Sequence, residues 1–309
     1  MTEHFVDTPA VQDLLEKLSG GDQATGDPRI KAIVRRIVGD LFATIDEFSV
    51  SDDEFWAALN FAIAGAPEFG LWAAGLGLER YLDIRADAAD AAAGITGGTP
   101  WTIEGPLYVA GAPESTGFAR MDDGSEDDKA EVLILHGQVR DVNGRPLVGA
   151  KVEIWHANTL GNYSYFDKSQ SDYNLRRTVI TDAEGRYAVR SIVPVGYACP
   201  AGGSTEAILS AIGRHGNRPA HIHFFVSADH HRHLTTQLNI DGDPYLHDDF
   251  AYATRDELIP PVHRTTSSNL GAKYGVEGPF AEIEFDFELH AATAAGEEDA
   301  STRARALAA

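Results

Sequence analysis

Cysteine is almost missing from these 309 residues: Cys199 stands alone. No disulfide can form within the chain, and a reducing compartment, the cytoplasm, is the expected location. Basic residues are also scarce, 25 Lys and Arg against 47 Asp and Glu, for a formal net charge of −22. A surface of that sign repels phosphate backbones and anionic lipids, so no nucleic-acid partner is expected. No stretch approaches the roughly 18 apolar residues of a membrane span, and no membrane insertion is expected. The segment around Val11 is not a basic run followed by an apolar one, so no secretory signal is expected either. There is no repeat of fixed period. Gly75 and Gly77 do not make a dinucleotide fingerprint, because no strand leads into them and the spacing is wrong.

What is present is ample apolar material, 43% of the chain, in two different periodicities. Val11, Leu14, Leu15 and Leu18 recur at helical spacing, as do Ile30, Ile33, Val34, Ile37, Val38 and Leu41. Ser51 and Glu54 predict a capping box ahead of Phe55, Trp56, Leu59 and Ile63, and a further helix is expected through Leu71–Tyr81. From about residue 96, Gly, Pro and Asp-rich turns separate short apolar runs. Asp141 to Gly144 and Asp182 to Gly185 read as hairpin turns. Near the end Ile283, Phe285 and Phe287 alternate with Glu282, Glu284, Asp286 and Glu288, the period of a strand with one wet face. The expected fold class is α+β. A helical segment at 1–95 precedes a mostly antiparallel β-sandwich at 96–292, and an Ala-rich flexible tail occupies 293–309.

Chemistry concentrates between Gly213 and Phe225. Ala220–Val226 has strand composition, so His221 and His223 project from one face, half of a ready-made metal site. That pattern alone does not separate a ligand pair from two hydrogen-bonded polar residues. Tyr163 follows the strand predicted at Ala150–His156, and Tyr197 follows the one near Arg186–Ile192. Either tyrosine alone reads as a half-buried aromatic with its hydroxyl satisfied.

Several motifs in one order go further. The run from Leu135 through Gly137, Asn143, Gly144, Pro146, Gly149, Val152, Glu153, Ile154, Trp155, His156 and Ala157 resembles the signature of the intradiol ring-cleavage dioxygenases. So do Arg214-His-Gly-Asn-Arg-Pro-Ala-His-Ile-His223 and Ile103-Glu104-Gly105-Pro106-Leu107-Tyr108. The likeness spans nearly the whole chain except the tail. It implies iron(III) bound by Tyr163, Tyr197, His221 and His223, with Tyr163 the retained tyrosinate and Tyr197 the one displaced by substrate. Gly161-Asn-Tyr-Ser selects Tyr163 over its neighbour Tyr165. Such a set suits a hard ferric ion, whose charge overcomes the cost of ionising two phenols at neutral pH.

The resemblance further implies that a small aromatic diol and O2 are the substrates, with catechol opened between its hydroxyl-bearing carbons to cis,cis-muconate. Tyr197 would take one of the diol protons. Arg218 would stabilise charge developing on the ring, and Gln237 would orient it. Leu71, Ala74, Ile103, Gly105, Pro106, Leu107, Phe250 and Ala251, together with Arg218, would bind substrate in an apolar slot. Because those apolar walls offer a ring carboxylate no cation, a carboxylated diol is disfavoured. The N-terminal helices are expected to build a homodimer, to lid the pocket and to accommodate a bound phospholipid. Hydroxyquinol or chlorocatechol is the alternative substrate, and a metal-free β-sandwich binding module is the alternative of another class. His230, His231 and His233 read as a loop beside the His221 strand, Cys199 as a small packing residue, and Asp241 to Asp243 as a turn.

Overall fold

The computed structural model describes residues 5–126, 129–266, 268–292 and 306–307. It contains two compact units, Met1–Ala66 and Pro67–Ala309.

The first unit is helical. Helices α1 (Pro9–Leu18), α2 (Pro28–Glu47) and α3 (Asp52–Gly65) begin where the sequence punctuates them. Pro28 sits in the first turn of α2, where its missing N–H is no loss, and Asp27 accepts from the backbone of Arg29 at 2.7 Å and Ile30 at 3.2 Å. The Ser51–Glu54 capping box is formed in full. Leu15 is the buried residue of α1, while Arg35 reaches back to Glu16 and Gln12. The expected apolar stripe of α2 is there, yet Ile30, Ile33, Val34, Ile37 and Leu41 are exposed.

The second unit begins with α4 (Phe69–Gly75) and α5 (Leu78–Ala92). The single helix expected through Leu71–Tyr81 is two, because Gly77 adopts a left-handed conformation, φ +75°, that ends one helix and starts the next. The compact units divide at residue 66, so α4 and α5, the last part of the helical segment expected at 1–95, belong to the second unit. Trp72 donates its indole N–H to the Ser204 hydroxyl at 3.1 Å, Glu68 accepts from Thr205 N at 2.8 Å, and Arg232 and Arg255 pair with Asp90 and Asp87. These bonds bind both helices to the sandwich. A further difference concerns hydropathy. By length and composition the helical run Asp52–Ala92 is apolar enough to cross a membrane, contrary to expectation, although its longest uninterrupted α-helix has 15 residues.

The sandwich has two sheets. The first orders Leu234–Asn239, His221–Ser227, Lys151–His156 and Arg176–Ile180 as antiparallel neighbours, with Glu114–Thr116 parallel at the edge. The second orders His263–Thr265, Phe280–Glu284, Val132–Asp141, Arg186–Ile192 and Phe118–Arg120, and Phe287–Leu289 also runs beside Val132–Asp141. Val152, Ile154, Ile222, Phe224 and Leu238 of the first sheet meet Leu133, Leu135, Val189, Ile283 and Phe287 of the second in the core. The first sheet is buried on its other face too, where Trp155, Phe225, Tyr108 and Tyr163 cluster. Double burial explains why His221–Ser227 is buried almost throughout instead of alternating with exposed residues.

Both predicted turns exist, but neither joins paired strands. Val132–Asp141 pairs with Arg186–Ile192, and Lys151–His156 pairs with Arg176–Ile180. The turns at Asp141 and Asp182 therefore carry the chain from one sheet to the other, which local composition does not reveal. The alternating segment near the end is also interrupted. Phe280–Glu284 and Phe287–Leu289 flank Phe285, whose carbonyl lies where any Cβ at Gly137 would stand. Both pieces pair parallel to Val132–Asp141. Most of the predicted tail lies outside the described residues; Ala306–Leu307 form a short strand parallel to Val109–Ala110.

Candidate active site

His221 and His223 lie on one strand, and alternation sends both rings away from the sandwich core, as predicted. Each ring is fixed differently. His221 Nδ1 donates to the Pro219 carbonyl at 2.6 Å, which leaves Nε2 as a bare lone pair. His223 stacks on Trp155, its register partner, with centroids 4.9 Å apart and planes 6° from parallel. Its Nδ1 is buried and has no hydrogen-bond partner.

Tyr163 arrives from a loop folded by one side chain. Asn158 Oδ1 accepts from Leu160 N and Asn162 N, both at 2.9 Å, and Asn158 N donates to Asn162 O. Gly161, at φ +77°, passes so close to the opposite loop that an added Cβ would lie 2.7 Å from Tyr197 Cβ. Beyond the tyrosine, the Ser164 hydroxyl donates to Asn174 O at 2.6 Å and accepts from Arg176 Nε at 2.9 Å. Arg176 is itself buried, over the Tyr163 ring at 5.8 Å. Tyr197 sits on the two-residue strand Tyr197–Ala198, which pairs with Asn217–Arg218 and puts Tyr197 directly opposite Arg218. Gly196 permits that approach, since a Cβ there would meet Arg218 O at 2.7 Å.

The four side chains converge. Tyr163 Oη, Tyr197 Oη and His221 Nε2 are 3.4 Å from one another, and the two Nε2 atoms are 3.0 Å apart. Ligands on bonds of about 2 Å to a common ion stand about 3 Å from their neighbours, so these separations fit one bound cation. Without one, two imidazole nitrogens face each other in a buried site, where at most one of them can donate to the other. Among the described residues no group of three or more His, Cys, Asp or Glu could hold a metal, so the phenols are what make this set. Tyr165, the neighbour of Tyr163, instead packs edge-to-face with Phe166 and takes the Lys168 ammonium on its ring.

Electrostatics favours a cation as well. Burial first, and then the Arg218 charge, lowers the His221 pKa to about 3, and His223 is pushed well below its ordinary value for the same leading reason. Both rings are therefore neutral and available as donors. Burial, followed by the neighbouring Tyr197, raises Tyr163 well above the ordinary phenol value, so an adjacent positive charge must supply its ionisation. Arg218 reaches the cluster with Nη1, 3.0 Å from His221 Nε2, while Nη2 donates to Gln237 Oε1 at 2.7 Å. Gln237 is the register partner of His223. The sequence-predicted pair Arg218 and Gln237 thus stands together beside the four donors.

A family model described as Dioxygenase matches residues 103–291, and one described as Catechol dioxygenase N terminus matches residues 27–94. The chain belongs to the intradiol dioxygenase family. It is 54% identical over 291 residues to a catechol 1,2-dioxygenase of Pseudomonas sp. (strain EST1001), covering 94% of this chain and 96% of that one. It superposes on the crystal structure of wild-type Acinetobacter radioresistens catechol 1,2-dioxygenase with a TM-score of 0.94 at 53% identity, covering 99% of this chain and all of that one. A hydroxyquinol 1,2-dioxygenase of Rhizobium sp. (strain MTP-10005) is 29% identical, covering 93% of this chain and 96% of that one.

In this member of the family Tyr163, Tyr197 and His223 open onto a cavity of about 410 Å³, within the usual range for a small-molecule site. All the predicted substrate residues line it: Leu71, Ala74, Ile103, Gly105, Pro106, Leu107, Arg218, Phe250 and Ala251. Leu71 and Ala74 come from α4, which belongs to the sandwich unit. His221 and Gln237 stand behind the wall. Among the described residues lining the cavity Arg218 is the lone cation, and two of its nitrogens are already engaged. A substrate carboxylate therefore finds no free counter-charge. Phe166, Asp167 and Cys199 also line the cavity and were not expected to. Phe166 and Asp167 follow the Tyr163 motif closely enough that proximity to it was the available signal. His230 adopts a left-handed turn and His231 donates to the Asp229 carbonyl, as a surface loop should.

Proposed function

We propose that this chain opens catechol between its hydroxyl-bearing carbons with dioxygen, giving cis,cis-muconate, at an iron(III) held by Tyr163, Tyr197, His221 and His223. The observation that carries this reading is the meeting of two phenol oxygens and two neutral imidazole nitrogens at one point of an apolar cavity. Bound iron(III) would supply the Lewis acidity that ionises the diol and prepares its ring for dioxygen. The chain's residues do the rest. Tyr197, partly exposed and on the cavity wall, would help hold the ion and is placed to accept one diol proton. Tyr163, locked behind it, stays. Leu71, Ala74, Ile103 and Phe250 hold the ring flat and exclude water, and Arg218 faces charge that develops on it. The overall change adds both atoms of O2 to catechol, with no other reductant required.

The purified protein is expected to be red from tyrosinate-to-iron charge transfer, and catechol is expected to consume one O2 per muconate formed. A panel of catechol, hydroxyquinol and chlorocatechols, followed by oxygen uptake and muconate absorbance, tests the substrate. Fast hydroxyquinol turnover with negligible catechol cleavage would overturn the choice. A colourless, iron-free preparation with no oxygen uptake would point instead to a metal-free binding module.

Two partner assignments belong to the same proposal. The exposed apolar stripe of α2 supports pairing of two copies through the N-terminal helices, and it offers surface for a bound phospholipid. Sedimentation and phosphate analysis of an organic extract test them separately. A cytoplasmic location is supported by the lone thiol, Cys199, and is tested by fractionation.

A further inference from the structure

Asp249 was not singled out by any motif, yet it is among the most engaged carboxylates of the molecule. It is buried, and its two oxygens each accept one guanidinium N–H and one backbone N–H. Oδ1 takes Arg218 Nε at 3.1 Å and Ala251 N at 3.0 Å. Oδ2 takes Arg218 Nη2 at 3.0 Å and Ala253 N at 3.3 Å. The two halves of this pattern lead to different walls of one cavity. Arg218 stands beside the four donors, and Phe250 and Ala251 line the same cavity with apolar surface.

We infer that Asp249 is a positioning residue that sets the plane of the Arg218 guanidinium and the Phe250–Ala251 wall as one rigid unit. The inference rests on the reading of the site as a catechol-cleaving centre. A bidentate carboxylate removes rotation about the last bonds of the arginine, and Gln237 at Nη2 removes the remainder. The only guanidinium nitrogen left to face the reacting region is Nη1, at 3.0 Å from His221 Nε2. Because the same carboxylate grips Ala251 and Ala253, the distance between the charge and the ring-binding surface is fixed by one side chain. Tyr252 between them takes a left-handed backbone, φ +56°, which a loop held at both flanks can sustain. Asparagine cannot do the same. Whichever way its amide is turned, an NH2 faces one guanidinium N–H and one backbone N–H.

The experiment is a double-mutant cycle on the iron-loaded enzyme with catechol. Asp249→Asn is expected to retain iron and the resting tyrosinate absorption, but to lose kcat by about 10–100-fold, with a smaller change in KM. Arg218→Met is expected to lose at least as much. The combined Asp249→Asn, Arg218→Met enzyme is expected to be slower than Arg218→Met alone by far less than the Asp249→Asn factor, because the arginine route is already lost and only the wall remains for Asp249 to affect. A crystal structure of Asp249→Asn is expected to show the guanidinium rotated away from His221. Asp249→Glu is the second variant: it keeps the charge, displaces the guanidinium by one methylene, and is expected to be slow as well. Full activity in Asp249→Glu, or multiplicative losses in the double mutant, overturns the positioning role. If wild-type enzyme does not cleave catechol, the functional reading itself has failed, and that result is distinct from an active wild type with indifferent Asp249 variants.

Discussion

Tyr163 and Tyr197 reach one point from two neighbouring loops, and the chain supports them very differently. The Tyr163 side is deep. Asn158 folds its loop, Ser164 ties it to Asn174 and Arg176, and the ring is 4% exposed. The Tyr197 side is shallow: a two-residue strand with a partly exposed ring held opposite Arg218. On the proposed reading, the contrast would give two identical ligands unequal lifetimes. A phenol whose loop is cross-linked in several places loses little entropy on staying bound, whereas one on a short, half-wet ladder leaves cheaply.

The largest test of that contrast is Tyr163→Phe. Loss of the deep ligand is expected to cost more iron than the roughly 10–100-fold in affinity that outer partners cost, with most of the visible absorption gone. Tyr197→Phe is expected to keep more iron while kcat falls by about 100-fold or more, since the proton acceptor is missing. Metal analysis and visible spectra of the two variants check the pair. The reverse ranking would break the deep-and-shallow distinction.

The deep side also carries a pH dependence. His156 ends the strand leading to the Tyr163 loop, donating from Nδ1 to Ala157 O and accepting the Ser191 hydroxyl at Nε2, both at 2.7 Å. Burial is the main reason its pKa is lowered from 6.5 to about 4. The unfolded chain binds that proton near pH 6.5 and the folded chain only near 4. Stability is therefore fully present above the higher value and declines as pH falls through the window, by roughly 3 kcal/mol in all. Urea unfolding of iron-free protein from pH 7 to 4 should show a shallower decline in His156→Gln. Identical slopes would remove His156 from the account.

A smaller effect is expected from Arg176→Met. Arg176 is buried, has one unpartnered nitrogen, and among the described residues pairs with no carboxylate; burial lowers its pKa to about 10. An ionised Tyr163 is the anion that best balances it. The substitution is expected to weaken iron retention about 10-fold and to shift the tyrosinate absorption, read by metal competition and visible spectra. Unchanged affinity and colour would leave Arg176 a structural tie to Ser164.

Local chemistry made much of this legible before any coordinates. The capping box at Ser51, the strand at Arg186–Ile192 and the histidine pair follow from side-chain periodicity and hydrogen-bonding capacity within a few residues. Tyr163 and Tyr197 were legible through motif likeness, because a loop tyrosine has no period to betray it. Asp249 was not legible at all. It lies 31 residues from Arg218, and nothing in its neighbourhood distinguishes it from a surface acid.

The amino-acid sequence by itself determined where helices start, which strand faces are apolar, and which side chains are able to hold a hard cation. Backbone propensity and residue chemistry act over a few positions, so they can be read in order along the chain. Only the tertiary structure decided that the Asp141 and Asp182 turns switch sheets, that α4 and α5 pack with the sandwich, and that four donors converge on one point. Those outcomes depend on which surfaces bury one another, a sum over contacts between residues far apart in the chain.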